Sequence, residues 1–203
     1  MVVIHKSRFG VLFLHKDRSA ATIQDILEDA FARAGVRPKI LRSDGAGEYE
    51  DAGLNKWLKV AGVHHQYSAA DTQYQNALAE KFLDTLGRGI RAILLQSNLA
   101  IEFWGLAALY IVESYNVLPH SGIKNKIPFE EHTGRRANVS WFRLFGCRAS
   151  VYRGKDHVDH HKLSPRGEPG VFVGLGTAEG RKAWLVYVPQ LNKIFASHDV
   201  QFD

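Results

Sequence analysis

The chain has 203 residues, of which 45% are hydrophobic and 23% charged, and a formal net charge of +5. This composition is typical of a globular protein, and the length allows either one full domain or a compact domain with a small appendage. No apolar run reaches the roughly 20 residues of a membrane span, and the N-terminus lacks the order of a secretory signal, so we expect an intracellular protein without a membrane partner. The single cysteine, Cys147, excludes an internal disulfide, and the positive charge favours an anionic partner.

The first two thirds of the sequence predict an α/β arrangement. Short β-prone runs at 2–4 and 10–14 predict a hairpin, and apolar residues at helical spacing over 22–34 predict a helix that stops at Gly35. A buried-type strand at 39–42, a helix at 51–60, a strand at 63–67 and a loop at 68–74 follow. This order of strands and helices indicates a mixed α/β sheet.

Two longer helices come next. Residues 75–96 predict an amphipathic helix in which Glu80 faces away from the apolar stripe. Residues 102–116 are apolar on nearly every side, which predicts a buried helix, and 128–133 predict one further helical turn. The helical part of the chain ends there.

From Val139 onward the pattern changes to short strand-like runs separated by Gly and Pro. The runs lie at 144–145, 149–152, 170–174, 184–188 and 193–196. Several strands at such close spacing predict a small β-barrel. We therefore expect two domains, 1–138 and 139–203.

Two carboxylates carry the clearest chemical signal. Asp44 follows a predicted strand and Glu80 lies on the outer face of the long helix, with 35 residues between them. A strand end and a helix packed across the sheet edge can bring two carboxylates together to hold Mg²⁺ or Mn²⁺, which prefer oxygen ligands. The alternative is a solvated Asp at a turn and a Glu in a first helical turn, positions that these residues favour without any function.

Longer segments around both carboxylates resemble one family. They include Leu41-Arg-Ser-Asp-Gly-Ala-Gly-Glu-Tyr49, Ser68-Ala-Ala-Asp-Thr-Gln-Tyr-Gln-Asn-Ala-Leu-Ala-Glu-Lys81, Phe103-Trp104, Tyr115-Asn116, Phe142-Arg-Leu-Phe-Gly-Cys147, Lys162-Leu163 and His198-Asp-Val-Gln-Phe-Asp203. Together they resemble the integrase catalytic core of copia-type LTR retrotransposon Pol polyproteins, within the retroviral integrase superfamily, and the SH3-like domain that follows it. The resemblance spans essentially the whole chain.

The resemblance implies a fold and an activity. The expected fold class is α/β, an RNase H-like mixed sheet flanked by helices with its first strand missing, followed by a small all-β SH3-like barrel. Asp44 and Glu80 fall on the family's second and third catalytic positions, which implies that they are metal ligands for Mg²⁺ or Mn²⁺ in DNA cleavage and strand transfer. The implied partners are DNA, as element ends and target duplex, and further copies in a homo-oligomer; the implied location is the nucleus.

The departures from the family pattern bear on activity. The family's first catalytic Asp lies on an opening strand upstream of the hairpin, and we expect this sequence to lack that strand and its Asp. We expect it to lack the zinc-binding module that normally precedes the core as well. Gly45 and Ala46 replace the usual Asn-Gly, Ala70 and Gln73 replace prolines, and Ala77 replaces a Gly. We expect a fragment of an integrase that is inactive alone. The alternative is a non-catalytic module, decayed or domesticated, that binds DNA or protein.

Weaker signals concern the remaining polar residues. Arg88 and Arg91 on the Glu80 face, with Arg148, Lys155 and Lys162 in the β-region, are candidate contacts to DNA phosphates, or else a solvated face. A group of histidines and aspartates at 156–161 suits either zinc or a polar loop. Cys147 and the four tryptophans are expected to pack in the core or at a domain interface.

Overall fold

The computed structural model describes residues 1–17, 19–43, 49, 51–67, 77–152 and 167–203. It begins with the predicted hairpin, in which β1 (Val2–Val3) pairs antiparallel with β2 (Gly10–Val11). The second strand is shorter than expected. In addition to its pairing with β1, the main chain of β2 is held by the side chain of the buried Asn116. The Asn116 amide accepts from the Gly10 N–H at 2.9 Å and donates to the Gly10 carbonyl at 2.8 Å.

Helix α1 (Ala20–Ala34) begins and ends where its capping residues place it. The Ser19 hydroxyl accepts from the Thr22 N–H at 3.3 Å, and Gly35 takes the left-handed conformation with φ 63°. Strand β3 (Ile40–Ser43), helix α2 (Ala52–Val60) and strand β4 (His64–Tyr67) follow, and β3 and β4 are parallel. Within the described residues, β1 and β2 therefore form an antiparallel pair, and β3 and β4 form a separate parallel pair.

The helices α1 and α2 cover one face of the β3–β4 pair. Leu41 packs against a buried cluster that consists of Ile23, Leu27, Phe31, Leu54, Leu58 and Val63. Ile40, on the alternate face of the strand, is 48% exposed. The expectation of a buried-type strand is therefore wrong for half of β3, because the apolar cover that the described residues provide lies on one face.

Helices α3 (Ala77–Ser97) and α4 (Trp104–Val117) pack against each other and against the hairpin. Their shared buried residues are Phe82, Leu86, Ala108 and Val112. A single 3₁₀ turn at Ile101–Phe103 precedes α4, and α5 (Pro128–Thr133) follows it. The prediction that α4 is buried is wrong at its start, where Trp104 is 50% exposed. In the described part of the chain, no helix is long and apolar enough to cross a membrane.

The C-terminal region is a five-stranded antiparallel sheet in the order β8-β7-β6-β5-β9. Its strands are β5 (Arg148–Tyr152), β6 (Gly167–Ala178), β7 (Arg181–Val188), β8 (Lys193–Ser197) and β9 (Val200–Phe202). Four of the five predicted runs are strands, whereas Leu144 and Phe145 are not: Phe145 instead inserts into the core at 2% exposure. A strand at 200–202 was not expected.

One hydrophobic core joins the helices to this sheet across the predicted boundary at 138/139. It contains Leu94, Ala107, Tyr110, Phe145, Phe172, Val173 and Leu175. The Tyr110 hydroxyl donates to the Arg143 carbonyl and accepts from the Arg143 N–H at 3.2 Å, and burial raises the pKa of this hydroxyl. The division at 138/139 stays a prediction, and the two regions are in extensive contact.

Candidate metal and nucleic-acid site

Glu80 lies in the first turn of α3 and is exposed, as the helical periodicity predicts. Asp84, Arg88 and Arg91 fall within about 80° of it around the helix axis, so the four side chains share one face. Asp84 and Arg88 form an ion pair of 2.9 Å. Within the described residues, the Glu80 carboxylate makes no ion pair or hydrogen bond, which leaves its oxygens available to a ligand.

Asp44 lies outside the described residues. Strand β3 ends at Ser43, the residue directly before it, and Tyr49 is the next described residue. Whether the carboxylates of Asp44 and Glu80 come within reach of one metal ion therefore stays a prediction. Among the described residues, no three His, Cys, Asp or Glu side chains are grouped so that they could hold a metal ion.

A hydrogen-bonded group of five residues, here called the strand-end network, surrounds the end of β3. It consists of Ser43, Tyr49, Asn55, His65 and Tyr67. Ser43 Oγ lies 2.9 Å from His65 Nε2, and His65 Nδ1 lies 2.9 Å from Asn55 Oδ1. The Tyr67 hydroxyl lies 2.8 Å from the Tyr49 carbonyl and 3.0 Å from Asn55 Oδ1. The network connects the residues on both sides of 44–48.

The hydrogen bonds of Asn55 determine which nitrogen of His65 carries a proton. Asn55 Nδ2 donates to the carbonyls of Asp51 at 2.9 Å and Tyr49 at 3.2 Å, so Oδ1 is the atom that faces His65 as an acceptor. The proton is then on Nδ1, and Nε2 accepts from the Ser43 hydroxyl. Burial, and secondarily the charge of His64, lower the pKa of His65, which favours this neutral form.

Three of the five candidate DNA contacts lie in the described part of the chain. Arg88 and Arg91 are exposed on α3, but the charge of Arg88 is partly offset by Asp84. Arg148 is exposed at the start of β5. Lys155 and Lys162 lie outside the described residues, as does the histidine and aspartate group at 156–161. Arg91 and Arg148 are therefore the candidates that the described structure leaves open to phosphate.

Cys147 and three of the four tryptophans pack against the hydrophobic clusters. Cys147 is half-buried against the helix–sheet core, and burial raises the pKa of its thiol, so it is a poor nucleophile at neutral pH. Trp141 and Trp184 pack on the same core, with a hydrogen bond of 2.9 Å from Trp184 Nε1 to the Trp141 carbonyl. Trp57 packs beside Phe31 in the cluster under β3. Packing, as expected, accounts for these three tryptophans.

The strand-end network was not predicted from the sequence. An assumed parallel pairing of 40–43 with 64–67 would have indicated it, because this pairing brings Ser43 beside residues 65–67. Only the register of the two strands, which the sequence does not encode locally, shows that His65 and Ser43 share a face.

Comparisons with known proteins agree with this fold. The family model described as the retroviral polymerase SH3-like domain matches residues 147–203. The solved catalytic core domain of HTLV-2 integrase, in complex with magnesium in a trimeric form, aligns with a TM-score of 0.51 at 14% identity over 62% of this chain and 78% of that chain. The simian T-cell lymphotropic virus intasome in complex with PP2A regulatory subunit B56 gamma aligns with a TM-score of 0.53 at 14% identity, over 88% and 66%. The fold is an RNase H-like integrase core followed by an SH3-like domain.

The sequence comparison adds a relative from a transposon. The retrovirus-related Pol polyprotein from transposon TNT 1-94 of Nicotiana tabacum is 30% identical over 169 residues, which cover 83% of this chain. The chain is similar over most of its length to a stretch of a retrotransposon Pol polyprotein, and it has the fold of a retroviral integrase core. It spans 12% of the length of the tobacco polyprotein, so it corresponds to a small part of such a protein.

Proposed function

We propose that this chain is the part of a retrotransposon integrase that carries Asp44 and Glu80, two metal ligands used to cleave DNA and join its strands. The observation that carries the proposal is the exposed Glu80 carboxylate in the first turn of α3, without a described partner, in a chain related to retrotransposon Pol. The donor chemistry fits, because carboxylates are the ligands that Mg²⁺ and Mn²⁺ prefer.

The protein's own groups would hold the metal and the DNA. Asp44 and Glu80 would supply the oxygen ligands, and Arg91 and Arg148 would contact DNA phosphates. When bound, the metal supplies charge stabilisation for an in-line phosphoryl displacement. Binding to phosphates releases counterions, so the DNA affinity would depend on salt and little on sequence.

We expect the chain alone to be inactive. The family resemblance implies three metal-binding carboxylates, and this chain matches two of the three positions. Because the third ligand would normally complete the site, the remaining pair would bind metal weakly and without productive geometry. In this proposal, integration also requires several copies of the protein on DNA, consistent with the trimeric form of the HTLV-2 integrase catalytic core domain.

Measurement of Mn²⁺ binding tests the proposal. Electron paramagnetic resonance detects the ion that stays free in solution. The variants are Asp44→Asn and Glu80→Gln, with Asp84→Asn as the matched control because Asp84 lies on the same face of α3 and is paired with Arg88. We expect each of the first two to lower the Mn²⁺ affinity at least about tenfold, and the control to leave it unchanged. Equal affinity in all four proteins would refute the metal site. Salt-dependent DNA binding without metal binding would then favour the non-catalytic module.

A further inference from the structure

Two adjacent loops carry a group of basic side chains away from the candidate site. The first loop is the turn of the β1–β2 hairpin, in which the Ile4 N–H donates to the Phe9 carbonyl at 2.8 Å. The second loop joins α4 to α5 and contains a 3₁₀ turn at Ser121–Ile123. The basic residues of these loops, here called the two-loop basic surface, are Lys6, Arg8, Lys124 and Lys126.

Contacts of the hairpin turn hold the two loops side by side. The Arg8 side chain lies against Gly122, where its Nε would be 3.6 Å from an added β-carbon. Ser7 is 2% exposed, and its Oγ lies 3.4 Å from His132 Nδ1 in α5. The ring of Phe9 stacks on that of His132 at 4.7 Å between centroids. The turn is therefore packed against α5 and against the loop that precedes α5.

The second loop is fixed by its own hydrogen bonds. The His120 N–H donates to the Lys126 carbonyl at 3.0 Å, and the Asn125 N–H donates to the His120 carbonyl at 2.9 Å. Lys124 and Asn125 take left-handed conformations, with φ 56° and 59°, in a tight turn that the Lys126 N–H closes to the Ile123 carbonyl at 3.2 Å. Because the backbone is held before any ligand arrives, less entropy is lost on binding.

One carboxylate next to the surface offsets part of its charge. Lys126 forms an ion pair of 2.6 Å with Glu131. The hydrogen bond from Lys126, followed by the charges of Lys126 and Lys6, lowers the pKa of the Glu131 carboxyl, so both loops act on the same group. The neighbouring carboxylate of Glu130 instead accepts from the Ala137 N–H at 3.0 Å. These contacts set one acidic group against four basic ones.

The surface therefore keeps a positive excess that is open to solvent. Within the described ranges of the chain, Lys6, Arg8 and Lys124 make no ion pair. All three lysines of the surface are exposed, and Arg8 is half-buried against the second loop. Exposed ammonium groups on two loops suit an extended polyanion that lies across both. The backbone of duplex DNA, with one charge per roughly 1.7 Å of its axis, is such a polyanion.

We propose that the two-loop basic surface contacts the phosphate backbone of duplex DNA, separately from the contacts at Arg91 and Arg148. The choice of DNA among polyanions rests on the proposed function, whereas the positive excess does not depend on it. Contacts of this kind position a duplex without reading its bases.

The first test is a salt titration of the affinity of the full chain for a short fluorescent duplex, followed by anisotropy. The variant combines Lys6→Gln with Lys124→Gln. The matched control combines Lys56→Gln with Lys59→Gln, which removes the same charge from exposed positions on α2. Each lost phosphate contact lowers the slope of log affinity against log salt by about 0.9, so between about 50 and 200 mM salt the affinity of the variant should fall about tenfold less than that of the wild type.

The control should keep the slope of the wild type. An unchanged slope in the variant, or no duplex binding by the wild type, would overturn the proposal. Polyglutamate of the same charge should bind more weakly than the duplex. Equal binding of polyglutamate would assign the surface to an acidic protein segment and overturn the choice of DNA.

A second test needs no substitution. Addition of the duplex to the ¹⁵N-labelled chain should shift the backbone amide signals of Lys6 and Lys124, and leave those of Lys56 and Lys59 in place. Shifts confined to other parts of the chain would contradict the proposal.

The two-loop surface and the metal site fail separately. The Lys6→Gln and Lys124→Gln variant should bind Mn²⁺ as the wild type does. If Mn²⁺ binding does not depend on Glu80 while the salt slope falls in the variant, the metal site is refuted and the surface stands. If Mn²⁺ binding depends on Glu80 while the slope stays unchanged, only the surface is refuted.

Discussion

Phe172 in β6 tests whether the helices and the C-terminal sheet form one folding unit. It is 0% exposed, belongs to the core that includes Leu94 and Tyr110, and its ring centroid lies 5.4 Å from that of Tyr110 in an edge-to-face contact. Phe172→Ala removes this contact and leaves a cavity between the sheet and α4. A buried Phe→Ala change costs about 3–5 kcal/mol of unfolding free energy.

Native-state hydrogen exchange measures where that cost is felt. If the core is shared, the amides of Ala107 and Tyr110 in α4 should lose the same 3–5 kcal/mol of opening free energy, within error, as the amides of β6. Ile194→Ala, at a 45% exposed position on the edge strand β8, is the control and should change both by about 0.5 kcal/mol or less. Full protection of α4 in Phe172→Ala, with loss confined to the sheet, would refute the shared core.

We expect four further outcomes. Asn116→Leu should lower the unfolding free energy by about 2–4 kcal/mol, because both buried polar groups of Gly10 lose their partner; a change under about 1 kcal/mol in urea unfolding would count against this role. Purified chain should give no 3′-processing or strand transfer with Mg²⁺ or Mn²⁺, and activity that Glu80→Gln abolishes would contradict this. Arg91→Ala and Arg148→Ala should each reduce the salt dependence of duplex binding by about one counterion, and a salt-independent affinity would exclude the phosphate contacts. The NMR titration midpoint of His65 should fall below its ordinary value of about 6.5; its lowered pKa means that it contributes stability above pH 6.5 that is lost as the pH falls through the folded-state midpoint, so a midpoint above 6.5 would reverse the sign.

Residues 140–203 carry nine basic and six acidic residues, and this positive excess predicts that their deletion weakens DNA binding. The shared core changes how that experiment is interpreted, because the deletion also exposes the apolar face of α4 around Ala107 and Tyr110. A loss of binding in the truncated chain would then report unfolding as well as lost charge. Single substitutions at exposed arginines answer the question without this complication.

Local sequence signals predicted most elements of the fold. Ser19 and Gly35 mark the ends of α1, and the apolar period of α3 places Glu80 outward, because capping and periodicity depend on neighbours in the chain. The elements that the sequence did not predict correctly depend on tertiary contacts. Phe145 packs in the hydrophobic core instead of pairing in a strand, because residues of the helices α3 and α4 belong to the same buried cluster.

The candidate site was predictable only in part. Asp44 and Glu80 were predicted as a site from their spacing and their sequence surroundings, and this stays a prediction. The hydrogen bonds of His65, in contrast, depend on the parallel register of β3 and β4 and on the Asn55 amide of α2. Such a network joins residues from four segments, and no periodicity in the sequence brings them together.

The most direct test of the account is a crystal of the chain grown with Mn²⁺ and measured at the manganese absorption edge. The account predicts one anomalous peak between the carboxylates of Asp44 and Glu80, with an oxygen of each bound to the ion, and no peak in Glu80→Gln. Carboxylates too far apart to share an ion, or a peak that Glu80→Gln leaves in place, would contradict the proposed metal site.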